Sequence, residues 1–309
     1  MNLEAFILGT GGMMPLPHRN LTSVLLRREG DLFLFDCGEA TQISLKRLNL
    51  KWKKIHSIFI SHMHADHVTG LPGILMLSSQ VDRNEPLHIY GPGTIKDYIE
   101  ANRHILDMYI NYEITVHVID SPGVIIDHAE YRVEAFPLYH TKPCFGYSLT
   151  EKPRPGVFYP ERADHHGVPR GPLWATLQSG SAVTLENGMV IKPDDVLGPP
   201  RSGRKFTFIT DTSYSPKIAR HAAESDLLIC EGMFEHALED TAREKRHLTA
   251  RQAGMIARDA GGVKKMGLIH YSPRYIERDL QLLLQEAREL FPAATLCRDR
   301  EMLSIKYSC

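Results

Sequence analysis

The chain has 309 residues, 43% of them hydrophobic and 24% charged, with 36 basic and 37 acidic side chains for a net charge of −1. That length accommodates one large α/β core carrying an insertion, and the composition is ordinary for a globular protein. The charge balance excludes a global attraction to nucleic acid, so any polyanion has to be held by local patches or by metal.

Residues 4–8, 22–26 and 32–36 read as strands, with β-branched or aromatic residues between turn signals. A helix is predicted over 40–48, a strand over 55–60, and a helix over 68–79 that tolerates Pro72 in its first turn. A short strand at 87–90 runs into Gly91-Pro92-Gly93, and a helix follows over 94–108. Residues 114–119, 124–126 and 131–136 read as successive strands. From about 151 to 205 the chain carries Pro153, Pro155, Pro160, Pro169, Pro172, Pro193, Pro199 and Pro200, the composition of a protruding insertion rather than of core. Its Arg154, Arg162, Arg170, Arg201 and Arg204 make it a candidate clamp for a polyanion, although a solvated loop fits equally well. Strands are then predicted at 206–210, 227–230, 265–269 and 302–307, with helices at 216–223, 249–260 and 276–290. Strand meanders mixed with βα alternation imply an α/β fold of two packed sheets with helices outside.

The cysteines (Cys37, Cys144, Cys230, Cys297 and Cys309) are odd in number and lack CxxC spacing. They read as reduced thiols rather than a zinc ribbon or a disulfide framework. Residues 1–8 are too short for a signal peptide and contain Glu4. No apolar run approaches the ~20 residues of a membrane span. The expectation is a cytoplasmic protein without membrane attachment.

Chemistry concentrates in Ser61-His62-Met63-His64-Ala65-Asp66-His67, directly after an apolar strand. Imidazole nitrogens and carboxylate oxygens are ligands for zinc and its first-row neighbours, and so dense a cluster can serve two ions. Alternation along an extended segment places His62, His64 and Asp66 on one side, with His67 turned away. Further ligands must come from elsewhere. His140, Asp211 and His270 each follow a predicted strand, where loops at one sheet edge converge. Asp36 is a candidate acceptor for the second N–H of a ligating imidazole, or an ordinary loop carboxylate.

The run Leu34-Phe35-Asp36-Cys37-Gly38-Glu39, the histidine cluster and Gly70-Leu71-Pro72-Gly73 resemble the metallo-β-lactamase superfamily. Gly9-Thr10-Gly11-Gly12, Gly146-Tyr147, Gly171-Pro172-Leu173, the run from Asp194 to Pro200, and His270-Tyr271-Ser272-Pro273-Arg274-Tyr275 narrow the resemblance to the ribonuclease Z family of tRNA 3′-processing endonucleases. The resemblance implies an αββα sandwich with a protruding flexible arm inserted at about 151–205 of a single domain. It implies two zinc ions per subunit, with manganese or another divalent ion also suited to the ligands. His62, His64 and His140 would hold one ion, Asp66, His67 and His270 the other, and Asp211 would bridge them. Asp66 would take the proton of the attacking water. His247 would donate one to the leaving 3′-oxygen, with Glu231 as its acidic partner. Glu231 lies in a segment where Cys230 and Gly232-Met233 depart from the family's HEAT sequence.

Arg19 and Asn20, in Pro15-Leu16-Pro17-His18-Arg19-Asn20, match the family's PxKxRN loop except that Pro17 replaces the lysine. They are candidate contacts to the tRNA 3′ end, and Gly171 and Pro172 stand at the arm's signature. The implied partners are tRNA precursors and a second subunit in a homodimer. Two other readings compete: a metal-dependent hydrolase of small phosphodiesters or other esters, and a non-catalytic RNA-binding metalloprotein. Neither gives the Arg19-Asn20 loop, the arm and the full ligand set a joint purpose.

Overall fold

The computed structural model describes residues 2–81 and 83–307. The chain divides into two compact units, one of Met1–Asp127, Arg132–Leu149 and Lys205–Cys309, the other of His128–Tyr131 and Thr150–Arg204. The first part contains β1 (Leu3–Gly9), β2 (Ser23–Arg28), β3 (Asp31–Phe35), α1 (Thr41–Arg47), β4 (Ile55–Phe59), α2 (Ala65–Val68), α3 (Leu71–Ser79), β5 (Leu87–Gly91), α4 (Ile95–Ile105) and β6 (Ile114–Val118). Next come β7 (Gly123–Asp127), β8 (Tyr131–Tyr139) and β9 (Pro143–Glu151). The inserted unit holds α5 (Pro160–His165), α6 (Pro172–Gln178), the hairpin of β10 (Val183–Thr184) and β11 (Val190–Ile191), and α7 (Pro193–Val196). The chain returns through β12 (Lys205–Ile209), α8 (Pro216–Ala222), β13 (Leu227–Glu231), α9 (Glu239–Lys245), α10 (Ala250–Ala260), β14 (Met266–Ile269), α11 (Leu280–Arg288), β15 (Ala294–Leu296) and β16 (Met302–Ser304).

Two seven-stranded sheets result, in the orders β16-β1-β2-β3-β4-β5-β6 and β15-β14-β13-β12-β9-β8-β7. Strands β3 to β6 are mutually parallel, as are β12 to β15. An aromatic seam joins the sheets. Phe35 stacks on Phe59 at 5.0 Å and meets Phe206 and Phe208 of the other sheet at 5.1 and 5.7 Å, while Phe59 meets Tyr147 at 5.4 Å. These rings are buried, and each contributes about 1.5–3 kcal/mol by leaving water. On the outer faces α1, α3 and α4 cover the first sheet through Leu45, Leu71, Ile74, Ile95 and Ile99. The second sheet is covered by α8, α10 and α11 through Ile218, Ala253, Ile256, Leu280 and Leu283. The layers run αββα, as expected.

Four details differ from the expectations. The helix predicted over 68–79 begins only at Leu71, as α3, and a separate short helix, α2, ends at Val68, with Thr69-Gly70 between them. Gly70 lies so close to Gly38 that a Cβ would stand 2.1 Å from the Gly38 carbonyl oxygen. Strand β9 carried too few sequence signals, because Pro143 and Gly146 interrupt its apolar residues. The inserted segment is not an open loop: Ala163, Val168, Leu177, Val183, Ile191, Val196 and Leu197 form a core of its own. Pro160, Pro172 and Pro193 occupy first turns of α5, α6 and α7, so part of the proline signal marked helix starts. Arg204 does not serve as a surface clamp, since it is buried in a two-pronged ion pair with Glu151 at 2.8 Å.

Candidate metal centre

Five of the seven predicted ligands lie just past a strand end. His62 and His64 follow β4, His140 follows β8, Asp211 follows β12 and His270 follows β14. The cluster is not extended throughout. His64 is the residue before α2 and the chain turns helical at Ala65, which brings Asp66 beside His67 rather than beside His62 and His64.

His62 Nε2 and His140 Nε2 stand 2.9 and 3.1 Å from His64 Nδ1, and 3.6 and 3.7 Å from Asp211 Oδ2. Ligands bound to one ion at about 2.0–2.1 Å in tetrahedral array lie roughly 3.3 Å apart, so these four atoms frame one position. His67 Nε2 and His270 Nε2 stand 3.3 and 3.1 Å from Asp211 Oδ1, and Asp66 Oδ2 lies 3.6 and 3.9 Å from the same two nitrogens. They frame a second position. Asp211 contributes one oxygen to each.

The opposite ring nitrogens fix which atom faces inward. His67 Nδ1 meets Asp36 Oδ2 at 2.7 Å, His62 Nδ1 meets Ser61 Oγ at 3.0 Å, His270 Nδ1 meets Thr22 Oγ1 at 2.7 Å, and His140 Nδ1 meets the Arg246 carbonyl at 2.9 Å. Ser61 Oγ donates to Asp36 and Thr22 Oγ1 donates to the Gly11 carbonyl, so each hydroxyl is left to accept from its imidazole. With Nδ1 donating, each Nε2 presents a lone pair to the centre. Asp36 is therefore an orienting acceptor. The buried Nε2 atoms of His67 and His270 have no hydrogen-bond partner, which is costly unless a cation takes them. Together, four neutral nitrogens, His64 Nδ1 and two carboxylates suit a pair of divalent ions such as zinc.

Backbone strain collects here. Met13, Asp36, Arg246 and His270 are non-glycine residues with φ of 67°, 54°, 55° and 60°, costing of order 1 kcal/mol or more each. Met13 N–H donates to Asp66 Oδ2 at 2.7 Å. A Cβ on Gly12 would stand 2.7 Å from His270 Nε2, so only glycine leaves that nitrogen accessible.

His247 and Glu231 come together beside the centre, with His247 Nδ1 at 3.0 Å from Glu231 Oε2. Burial alone would lower the His247 pKa, but Glu231 and Asp211 raise it to about 9. Glu231 Oε1 accepts the Thr212 N–H at 2.7 Å, so both of its carboxylate oxygens are engaged. A cleft of about 310 Å³ opens over both positions, lined in part by Asp66, His140, Asp211, Lys245, His247 and His270.

Arg19 and Asn20 are not brought to this cleft. The buried Arg19 guanidinium donates to the Tyr275 carbonyl at 3.2 Å and lies over the Tyr271 ring, while Asn20 Nδ2 donates to Ser44 Oγ at 2.8 Å. Arg19 instead lines a second cleft, of about 550 Å³, together with His18, Arg298 and Arg300. Gly171 and Pro172 begin α6 in the inserted unit, both exposed, with Gly171 at φ 136°. Sequence reasoning missed Thr22, Ser61, Met13, Lys245 and Arg246. Ser61, the pair beside His247 and Met13, which follows Gly9-Thr10-Gly11-Gly12, lay next to quoted motifs, whereas Thr22 did not.

The chain is 60% identical to ribonuclease Z of Treponema denticola over 307 residues, covering 99% of both chains. It belongs to the ribonuclease Z family. Ribonuclease Z of Treponema pallidum is 58% identical over 307 residues, and that of Borrelia hermsii 42% over 312, covering 99% of this chain and 97% of the relative. Among solved structures, human tRNase Z, short form, superposes with a TM-score of 0.71 at 27% identity, covering 98% of this chain and 99% of that one. The metallo-β-lactamase fold protein YhfI of Bacillus subtilis, with a TM-score of 0.68 at 17% identity over 98% of this chain and 100% of its own, shares the fold. Residues 3–146 also match the family described as Anti-Pycsar protein Apyc1. The chain thus has the metallo-β-lactamase fold. None of its described helices is long and apolar enough to cross a membrane.

Proposed function

We propose that this ribonuclease Z is a zinc-dependent endoribonuclease that removes the 3′ trailer from tRNA precursors, acting as a cytoplasmic homodimer with two ions per subunit. The observation that carries the reading is the split carboxylate of Asp211, one oxygen toward each ligand group, in a chain aligned end to end with ribonucleases Z. His62, His64 and His140 would hold one ion and Asp66, His67 and His270 the other. Bound there, the ions would supply the Lewis acidity that makes water nucleophilic near neutral pH and offsets charge on the phosphate.

The chain's own groups handle the protons. Asp66 Oδ2 faces the second position and accepts from Met13, which leaves Oδ1 to take the proton of the attacking water. Without ions bound, Glu231 and Asp211 raise the His247 pKa to about 9 against the effect of burial, and the bond from Nδ1 to Glu231 favours the protonated ring. With Nδ1 donating to Glu231, its Nε2–H is free to protonate the departing 3′-oxygen. The phosphorus–3′-oxygen bond breaks, so the tRNA ends in 3′-OH and the trailer keeps the phosphate at its 5′ end. Lys245, exposed at the cleft rim, is placed to contact a backbone phosphate. Gly171 and Pro172 would shape the inserted unit's grip on the RNA.

The deciding experiment maps both ends produced from one unprocessed tRNA. A trailer bearing a 5′-phosphate supports the mechanism, and one ending in 5′-OH sinks it. Asp66→Ala is expected to lose nearly all turnover while still binding precursor. Turnover of bis-p-nitrophenyl phosphate well above that of precursor would favour a small-ester hydrolase instead.

A further inference from the structure

Asp299 lies in the C-terminal part of the chain, well outside the ligand set. Its carboxylate collects three donors from the segment that runs over the metal centre. Oδ1 accepts the Thr10 N–H at 3.0 Å and the Thr10 hydroxyl at 2.7 Å, and Oδ2 accepts the Asn20 N–H at 2.6 Å. Thr10 and Asn20 are the two ends of one loop. Between them the loop reaches two members of the centre. Met13 N–H, on a backbone at φ 67°, donates to Asp66 Oδ2. The Gly11 carbonyl accepts from Thr22 Oγ1, which meets His270 Nδ1. Gly12 N–H donates to the Tyr271 carbonyl at 3.1 Å, and Tyr271 N–H to the Thr10 carbonyl at 2.9 Å, so the loop is also registered against the residue after His270.

We infer that Asp299 is a positioning residue: by pinning both ends of the loop 10–20 it fixes the Met13 amide against Asp66 and so sets the orientation of the proton acceptor. A strained residue such as Met13 persists only where its surroundings over-determine it, and Asp299 is the charged group that does so from outside the loop. Hydrogen bonds to an ionised acceptor are about twice as strong as neutral ones, which suits a carboxylate here better than an amide.

The inference rests on the proposed role of Asp66, and its test separates the two. Asp299→Ala, Asp299→Asn, Thr10→Val and Thr10→Ser are compared with wild type for kcat and KM on precursor tRNA, hydrolysis of bis-p-nitrophenyl phosphate, zinc content and melting temperature. A misplacement of about 1 Å costs roughly 100-fold in rate. Asp299→Ala is therefore expected to lower kcat by about 10- to 100-fold on both substrates, with KM for RNA and zinc content unchanged. Thr10→Ser, which keeps the hydroxyl, is expected to retain activity that Thr10→Val loses. Retention of wild-type kcat in Asp299→Ala would overturn the inference, as would a loss confined to KM or accompanied by loss of zinc. If wild type cleaves no precursor, the functional reading fails, while the ratios on the small phosphodiester still decide the role of Asp299.

Discussion

His67 shows how the centre is tuned at the level of one side chain. Burial alone would lower its pKa, but Asp211, Asp36 and Asp66 surround it and raise it well above 6.5 in the metal-free protein. A ligating imidazole must be neutral, so ion binding displaces a proton from Nε2. Protons therefore compete with the ion for this nitrogen, and zinc affinity is expected to fall as pH falls. A competition titration with a chelating dye checks this, and an affinity independent of pH would contradict it. Gly12 gives a second test, because the Cβ of alanine would press on His270 Nε2. Gly12→Ala is expected to bind close to one zinc per chain and to lose turnover by about 100-fold or more, read by elemental analysis beside kinetics. Two zinc ions per chain in that variant would contradict the geometry. The ligands were legible because His62, His64, Asp66 and His67 lie together in sequence. Thr22 and Met13 were not, since a threonine and a backbone amide become relevant only once the fold brings Gly11 and Asp66 to them.

Among the elements, the short helix α2 decides which group of candidate ligands each residue of the cluster joins. A strand would have aligned Asp66 with His62 and His64. The helical turn sends it to His67 and His270 instead. Periodicity over four residues cannot distinguish these outcomes, whereas β1 and α10, the latter with its Thr249–Gln252 capping box, were plain in the pattern. The inserted unit teaches the converse: its prolines suggested loop, yet its helices begin at them. Its two ends are closed by the buried Glu151–Arg204 pair. Removing one partner of such a pair costs about 3–5 kcal/mol. Glu151→Ala is expected to speed proteolysis within residues 152–203 while hydrolysis of bis-p-nitrophenyl phosphate is unchanged. Equal protease resistance would show that the unit's own core suffices.

Over the larger unit, two packed sheets with helices outside were readable from strand and helix alternation, but the side chains that join the sheets were not. The contacts of Phe35 with Phe206 and Phe208 join residues far apart in sequence, and nothing local announces them. The ligand set crosses the same seam. Residues 62–67 follow a strand of the first sheet, and His140, Asp211 and His270 follow strands of the second. Ion binding to the native form alone adds about 4 kcal/mol when free ion exceeds its dissociation constant 1,000-fold. Chelation is therefore expected to lower the melting temperature by roughly 10 °C, with recovery on adding zinc. An unchanged melting temperature would mean that the aromatic seam alone sets stability.

That crossing has a consequence for the chain as a divisible object. A cut in the exposed turn between β6 and β7, at Asp120-Ser121, would leave His62, His64, Asp66 and His67 on one piece and His140, Asp211 and His270 on the other. Neither piece alone can offer either ion all of its protein ligands. Rejoining would then be gated by the ion, with zinc as the signal that the two halves have found each other.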